Sequence, residues 1–240
     1  MALKYWSKLE DAGDVTNPEI GPAGTEDGSP TYAACKFNNG IYVNVDNEGY
    51  HFPNNPTVIT GATKGAVEFW IKPDFNLVNG EPSDSARHFL FAYSPAGSAV
   101  LAIEVQATGG IRIVRVDDIG GTVAILDTTT DWTAGDLVHL AFTWDKDHGF
   151  DGNKTLAFYV NGVETVSTTT ALGTLTDDTS DIYVGIHGSG AFHMDSVLDN
   201  LKIFDDAKID FSDRNDEDAG YPTVVGGGSP MLFGGGVTIG

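Results

Sequence analysis

The chain reads as an all-β protein built from two stacked antiparallel sheets, and three observations carry that reading. Apolar side chains alternate with small or polar ones in run after run; thirty glycines and many threonines crowd the intervening segments; and stretches rich in the strong helix formers are scarce. With 240 residues and 41% apolar composition, the chain can bury roughly 70% of its unfolded surface in a core without covalent staples.

Taken in chain order, the alternating segments are IYVNV (41–45), AVEFWIKP (66–73), HFLFAY (88–93), AVLAIEVQ (99–106), IRIVRV (111–116) and VAIL (123–126). The strongest comes next: Val138, Leu140, Phe142 and Trp144 alternate with His139, Ala141 and Thr143, so one face of a strand is uniformly large and apolar. A polar loop, DKDHGFDGNK, leads into Leu156, Phe158 and Val160 on one face, with Ala157 and Tyr159 on the other. Asn161-Gly162 follows at once, the pair favoured in a type I′ hairpin because both central residues need positive φ, and VETVSTTT is the return strand. DIYVGI (181–186) and LDNLKIF (198–204) complete about eleven expected strands, and turn-rich segments such as GEPSDS, ATGG and DDIGG separate them.

Charge narrows the partners. Thirteen Lys and Arg stand against 34 acids, 25 of them Asp, for a net charge of −21. Nucleic-acid binding draws most of its affinity from cationic side chains that displace counterions, so DNA, RNA and anionic membranes are excluded as expected partners. No apolar run reaches about 18 residues, so no membrane span is expected, and the opening MALKYWSKLEDAGD places charges where a secretory leader needs an apolar stretch. The single cysteine, Cys35, precludes an internal disulfide framework or a Cys-rich zinc site.

The ordered set KYWSKLED, YAACKFNNGIYVNV, GAVEFWIKPDF, HFLFAY, LVHLAFTWD, TLAFYVNGVE and IYVGIHGSGAFHMDSVLDNLKIFDDAKI resembles the laminin G-like and pentraxin-like jelly roll of the concanavalin A-like lectin/glucanase superfamily, over about residues 3–210. Each motif alone is weak; their order is what is specific. The resemblance implies a sandwich domain over 1–212; the composition of 213–240 adds an acidic connector and a glycine-rich apolar C-terminal arm. The resemblance also implies a structural Ca²⁺ held by backbone carbonyls near the first strands and by the Asp that opens the last one. Asp199 matches that Asp, and Asn38 and Asp46 lie in the segment resembling the N-terminal side of such a site. The alternative is that Asp199 caps a turn through backbone amides. Asp145, Asp147, Asp151 and Asn153 superficially resemble a calcium loop, but the bidentate Glu is missing and strands rather than helices flank them, so a solvated hairpin loop is expected.

Ligands in this superfamily commonly bind where loop aromatics stack on sugar C–H groups beside Asp, Asn or Gly. Aromatics outside the alternating pattern are Tyr50, His51, Phe52, Phe150, His187, Phe192 and His193, and the segment HGSGAFHMDS gathers the most suggestive set, His187, Phe192, His193 and Asp195. The simpler account makes Phe192 a loop anchor packed on the sandwich, ahead of sugar stacking. An enzyme is not expected: the two-glutamate strand of laminarinase-like hydrolases is absent, as are GxSxG and the phosphate-binding GxxxxGK[ST].

Residues 219–240 contain no charge and alternate glycine triplets with apolar clusters around Val225, at Met231, Leu232 and Phe233, and from Val237 to Ile239. A solvated tail ordinarily keeps its charge, so this one is expected to dock. Together these features lead to the expectation of a non-enzymatic structural or adhesion protein. It would be an oligomeric subunit displayed on the surface of a phage or virus particle, joined to its neighbours through the arm, with a glycan-binding rim. The alternatives are a stand-alone calcium-dependent carbohydrate-binding module and an extracellular adhesin or filament subunit.

Overall fold

The computed structural model describes residues 1–54, 58–59, 63–93, 101–116, 122–147, 149–173 and 180–218. The chain begins with β1 (Leu3–Ser7), a short α1 (Ala12–Thr16), β2 (Thr25–Asp27), β3 (Thr31–Ala34), β4 (Asn39–Val43) and β5 (Gly49–Pro53). It continues with β6 (Lys64–Pro73), β7 (Leu77–Val78), β8 (Glu81–Pro82), β9 (His88–Tyr93), β10 (Leu101–Val105) and β11 (Ile111–Val116). The last elements are β12 (Thr122–Asp127), β13 (Val138–Asp145), β14 (Leu156–Val160), β15 (Val163–Thr168), β16 (Asp181–Val184) and β17 (Ser196–Phe204).

Two large antiparallel sheets result. One runs β15-β14-β13-β6-β17-β4-β3, with β1 also paired to β17; the other runs β12-β11-β10-β9-β16-β5-β2. Val138, Leu140, Phe142 and Trp144 all enter the core, and their β6 partners Val67, Phe69 and Ile71 enter with them because register pairs Phe142 with Val67 and Leu140 with Phe69. Aromatic rings join the layers: Phe91 of one sheet meets Phe142 of the other at 5.9 Å, and Tyr5 stacks on Phe52 at 3.9 Å. Asn161 and Gly162 have φ of 53° and 80°, the two positive values that a type I′ hairpin requires.

All eleven expected strands are present, with ends shifted by a few residues, and six further strands and α1 appear beside them. Tyr50 and Phe52, singled out as loop aromatics, are instead fully buried core residues of β5. Phe150 is likewise a packing residue, buried beside Tyr159 and Phe211. A bulge between Asp199 and Lys202 interrupts β17, with Asn200 at φ 54°, and it lets Leu198 and Leu201 both face the core.

Packed chain also continues beyond residue 212. Residues 205–218 cross the outer face of the eight-stranded sheet: Phe211 packs on Tyr159 and His139, Trp70 Nε1 donates to the Arg214 carbonyl at 3.0 Å, and Lys208 reaches Glu68 at 2.9 Å. That cover explains why His139 and Glu68, on the outward-pointing side of their strands, are buried. The expected arm, with Val225, Met231, Leu232, Phe233, Val237 and Ile239, lies outside the described residues.

Candidate functional site

The outward face of the seven-stranded sheet carries an unusual row. Register aligns Phe89 of β9, Glu104 of β10, Arg112 of β11 and Leu126 of β12 across four strands. Phe89, with Ala92 and Ala102, forms an apolar cluster separate from the core. Glu104 is only 2% exposed, a position at which a carboxylate persists only when paired. It is paired twice: Arg87 donates through Nε at 2.7 Å and through Nη2, both to Oε2, while Arg112 Nη1 donates to Oε1 at 3.0 Å.

Loop 185–195, between β16 and β17, lies against this row. Its base is pinned by Gly185 N–H donating to the Leu90 carbonyl at 3.0 Å, by Met194 N–H donating to the Gly185 carbonyl at 2.9 Å, and by the buried Met194 side chain. Its crown is fixed by Asn47 N–H donating to the Gly190 carbonyl at 2.8 Å and by Phe89 N–H donating to the Phe192 carbonyl at 3.3 Å. Held this way, Phe192 has φ 61° and remains 42% exposed, an uncommon conformation for a bulky side chain, with its ring left in view of solvent. The ring stands 5.9 Å from Phe89, and the Arg87 guanidinium covers both, 4.6 Å from the Phe89 centroid and 5.2 Å from that of Phe192.

The four expected ligand residues divide over this loop. His187 packs edge-on to Phe89 at 4.7 Å and its Nδ1 meets Ser189 Oγ at 2.7 Å. Burial, and then the neighbouring Arg87 charge, lower the His187 pKa. His193 pairs through Nδ1 with Asp46 at 3.0 Å, and the His193 hydrogen bond holds the Asp46 carboxyl below its usual range. Asp195 accepts through its backbone carbonyl from Asp74 N–H at 3.0 Å; burial raises its carboxyl pKa, and the nearby His88 and His193 oppose the rise.

Three cavities follow the loop. One, of 430 Å³, lies between His187, Ser189, Asn47, His51, Asp27 and Tyr183. A second, of 280 Å³, is bounded by Arg87, Phe89, Glu104, Arg112 and His187. The third, of 320 Å³, is bounded by Arg87, His88, Phe192, His193 and Asp46. His187 is common to the first two, and Arg87 to the last two. Arg87, Phe89, Glu104 and Arg112 escaped sequence reading. The available signals were a lone acid within the apolar run LAIEV and an HFLFAY segment that is apolar on both faces.

The expected calcium residues do not all come together. Asn38 precedes β4 and Asp46 follows it, so at roughly 3.3 Å per extended residue they stand at opposite ends of the strand. Asp199 lies at the Asn38 end. Its Oδ2 accepts from Phe37 N–H at 2.7 Å, and Asn38 Nδ2 donates to Glu10 at 2.6 Å. Asp199 Oδ1 and Glu217 Oε1 are buried without a partner among the described residues. Burial pushes the Asp199 carboxyl up to about 7; the Phe37 hydrogen bond opposes this, and the charges of Glu217 and Glu10 add to it. Hard, under-satisfied oxygens of this kind suit a cation such as Ca²⁺. Among the described residues no three His, Cys, Asp or Glu side chains form a complete cage, so backbone carbonyls would have to supply part of the shell.

Known proteins show where this architecture recurs. Domain 4 of AbnA, a GH43 extracellular arabinanase from Geobacillus stearothermophilus, solved in complex with arabinotriose, superposes with a TM-score of 0.57 at 18% identity, over 86% of this chain and 93% of that one. The binding domain of Paraclostridial Mosquitocidal Protein 1 gives a TM-score of 0.62 at 16% identity, and that of botulinum neurotoxin serotype G gives 0.63 at 10%. These cover 86% and 85% of this chain, which spans about half of either toxin domain, 49% and 48%. No curated protein matches the chain in sequence. A laminin G-like family model matches residues 40–209, which hold most of both sheets and the whole of loop 185–195, and the chain therefore belongs to the concanavalin A-like lectin/glucanases superfamily.

Proposed function

We propose that this chain is a non-catalytic glycan-binding module whose ligand lies along loop 185–195 and the outward face of the seven-stranded sheet. The observation that carries the reading is Phe192: a large ring, 42% exposed, set at positive φ beside Phe89, Arg87 and His187. Rings held rigidly at the surface offer apolar faces to sugar C–H groups, and the polar groups around them can fix orientation. The arabinotriose complex of one structural neighbour, and the fact that others are toxin binding domains, support the reading. Among the described lining residues each cavity has a single carboxylate, Asp27, Glu104 or Asp46, whereas glycoside hydrolysis by the usual route needs two, which favours binding without turnover. A glycan array tests the reading. Binding should appear, and Phe192→Ala should weaken it by about ten-fold or more while shifting stability by less than about 1 kcal/mol. A flat array would overturn it.

Calcium enters this proposal as a structural ion held by Asp199, with Glu217 and Asn38 nearby, at a corner separate from the ligand face. Display on a virus or phage particle, with the module facing outward as a decoration or fibre element, is the assembly part of the proposal. It rests on the uncharged residues 219–240 and on an acidic body suited to the outside of a packaged genome. Deleting 219–240 should abolish incorporation into particles; undiminished incorporation would leave the free binding module as the better account.

A further inference from the structure

We propose that the glycan taken at this face carries a carboxylate, and that Arg112, seconded by Arg87, is the group that reads it; this rests on the glycan-binding function proposed above. The chain has four arginines among 240 residues with a net charge of −21, and two of the four converge on one sheet face. A single arginine would neutralise Glu104. The second leaves the cluster with one positive charge in excess, and both arginine side chains are about one-third exposed while Glu104 is shut away at 2%.

The donor count points the same way. Arg87 spends Nε and Nη2 on one carboxylate oxygen, and Arg112 spends Nη1 on the other. Among the described residues nothing accepts from Arg112 Nε or Nη2, or from Arg87 Nη1. A planar fork with free N–H groups at a cavity wall matches a carboxylate in two-point contact, and the buried Glu104 holds the forks in place so that little side-chain freedom is lost on binding. Of the three cavities this one alone pairs two cations with a single acid among its described lining; Asp27 and Asp46 belong to the other two. Phe89 lies buried beneath the cavity, and the exposed Phe192 ring stands beside it, so a sugar ring resting on Phe192 can bring an acid substituent toward Arg112. The acidic body does not forbid this, because at physiological salt fields decay over about 8 Å.

Calorimetric titration with two matched pairs tests the proposal: 3′-sialyllactose against lactose, and trigalacturonate against its carboxyl-reduced counterpart. At least one acid should bind about ten-fold or more tightly than its neutral partner, and added NaCl should weaken the acid alone. Arg112→Gln should bring the acid-to-neutral affinity ratio down to about one, and Arg112→Lys, which keeps the charge without the fork, should retain part of that ratio. Equal binding of acid and neutral sugars by the unmodified chain, or a preference that survives Arg112→Gln, would overturn the proposal. The unmodified comparison stands even where a variant fails to fold. Neutral binding that Phe192→Ala abolishes, without acid preference, would sink this inference alone; no binding of either kind, here or on the array, would sink the glycan-binding function with it.

Discussion

Lys208 Nζ lies 2.9 Å from Glu68 Oε1, and both side chains are 4% exposed. The pair joins the segment after the last strand to the middle of the eight-stranded sheet, and His139, 3.5 Å from Glu68, completes the group. Burial pushes the Glu68 carboxyl up, but the His139 hydrogen bond and the Lys208 charge outweigh it and leave the pKa lowered. Removing one partner strands a charge. Lys208→Ala should therefore cost about 3–5 kcal/mol in chemical denaturation, whereas Lys208→Met with Glu68→Leu should recover most of that loss. A small effect for Lys208→Ala would mean that residues 205–218 contribute little to holding the sandwich.

Asp199 sets a pH dependence with a definite sign. Its folded pKa, about 7, stands above the value of about 3.9 expected unfolded. The folded state thus holds the extra proton: the Asp199 contribution is present in full below about pH 4 and is lost as pH rises through 7. Asp199→Asn keeps an acceptor for Phe37 N–H and should flatten the decline in Tm over that interval. Bound calcium favours the ionised carboxylate, so millimolar Ca²⁺ should raise Tm more at about pH 8 than at about pH 5. A Tm indifferent to calcium and to EDTA at both values would remove the ion from the proposal.

Gly190 has φ 82°, and a Cβ there would run into Asn47 Oδ1. Gly190→Ala is expected to cost about 1–2 kcal/mol locally and to displace the crown of loop 185–195. Amide exchange should accelerate at residues 187–193 without change at β13, and glycan affinity should fall. Unaltered exchange in the loop would show that its shape does not depend on this glycine.

Cys35 should react slowly as a thiol. Burial, then the neighbouring Asp199 charge, pushes its pKa up to about 12, so little thiolate exists near neutrality. Alkylation by iodoacetamide at about pH 8 should run at least about ten-fold slower than for an unfolded control. Equal rates would place the thiol in solvent and contradict the packing around β3 and β4.

The sandwich was legible because its signal is local: Val138 to Trp144 and Leu156 to Val160 announce an inward face by period two, and Asn161-Gly162 announces the hairpin between β14 and β15. Short strands such as Thr25–Asp27 and Thr31–Ala34 carry too few residues for a period to show, and β5 was obscured because GYHFP reads as loop chemistry. The ligand face was half legible. His187 and Phe192 sit in one glycine-rich segment, but Arg87, Glu104 and Arg112 become neighbours only through cross-strand register, which no single segment encodes. Asp46 was grouped with Asn38 and Asp199 through the resemblance of its segment to one side of a calcium site, and β4, which runs between Asn38 and Asp46, carries it away from the other two.

The first strand borders the last: Leu3 pairs with Phe204 and Ser7 with Leu201, and β17 also pairs with β6 and β4. The eight-stranded layer therefore lacks a central member until nearly the whole described chain has left the ribosome. Loop closure over about two hundred residues must come before those contacts yield any return, so folding should be slow and largely post-translational, and the unfinished layer would meanwhile expose open strand edges to neighbouring nascent chains.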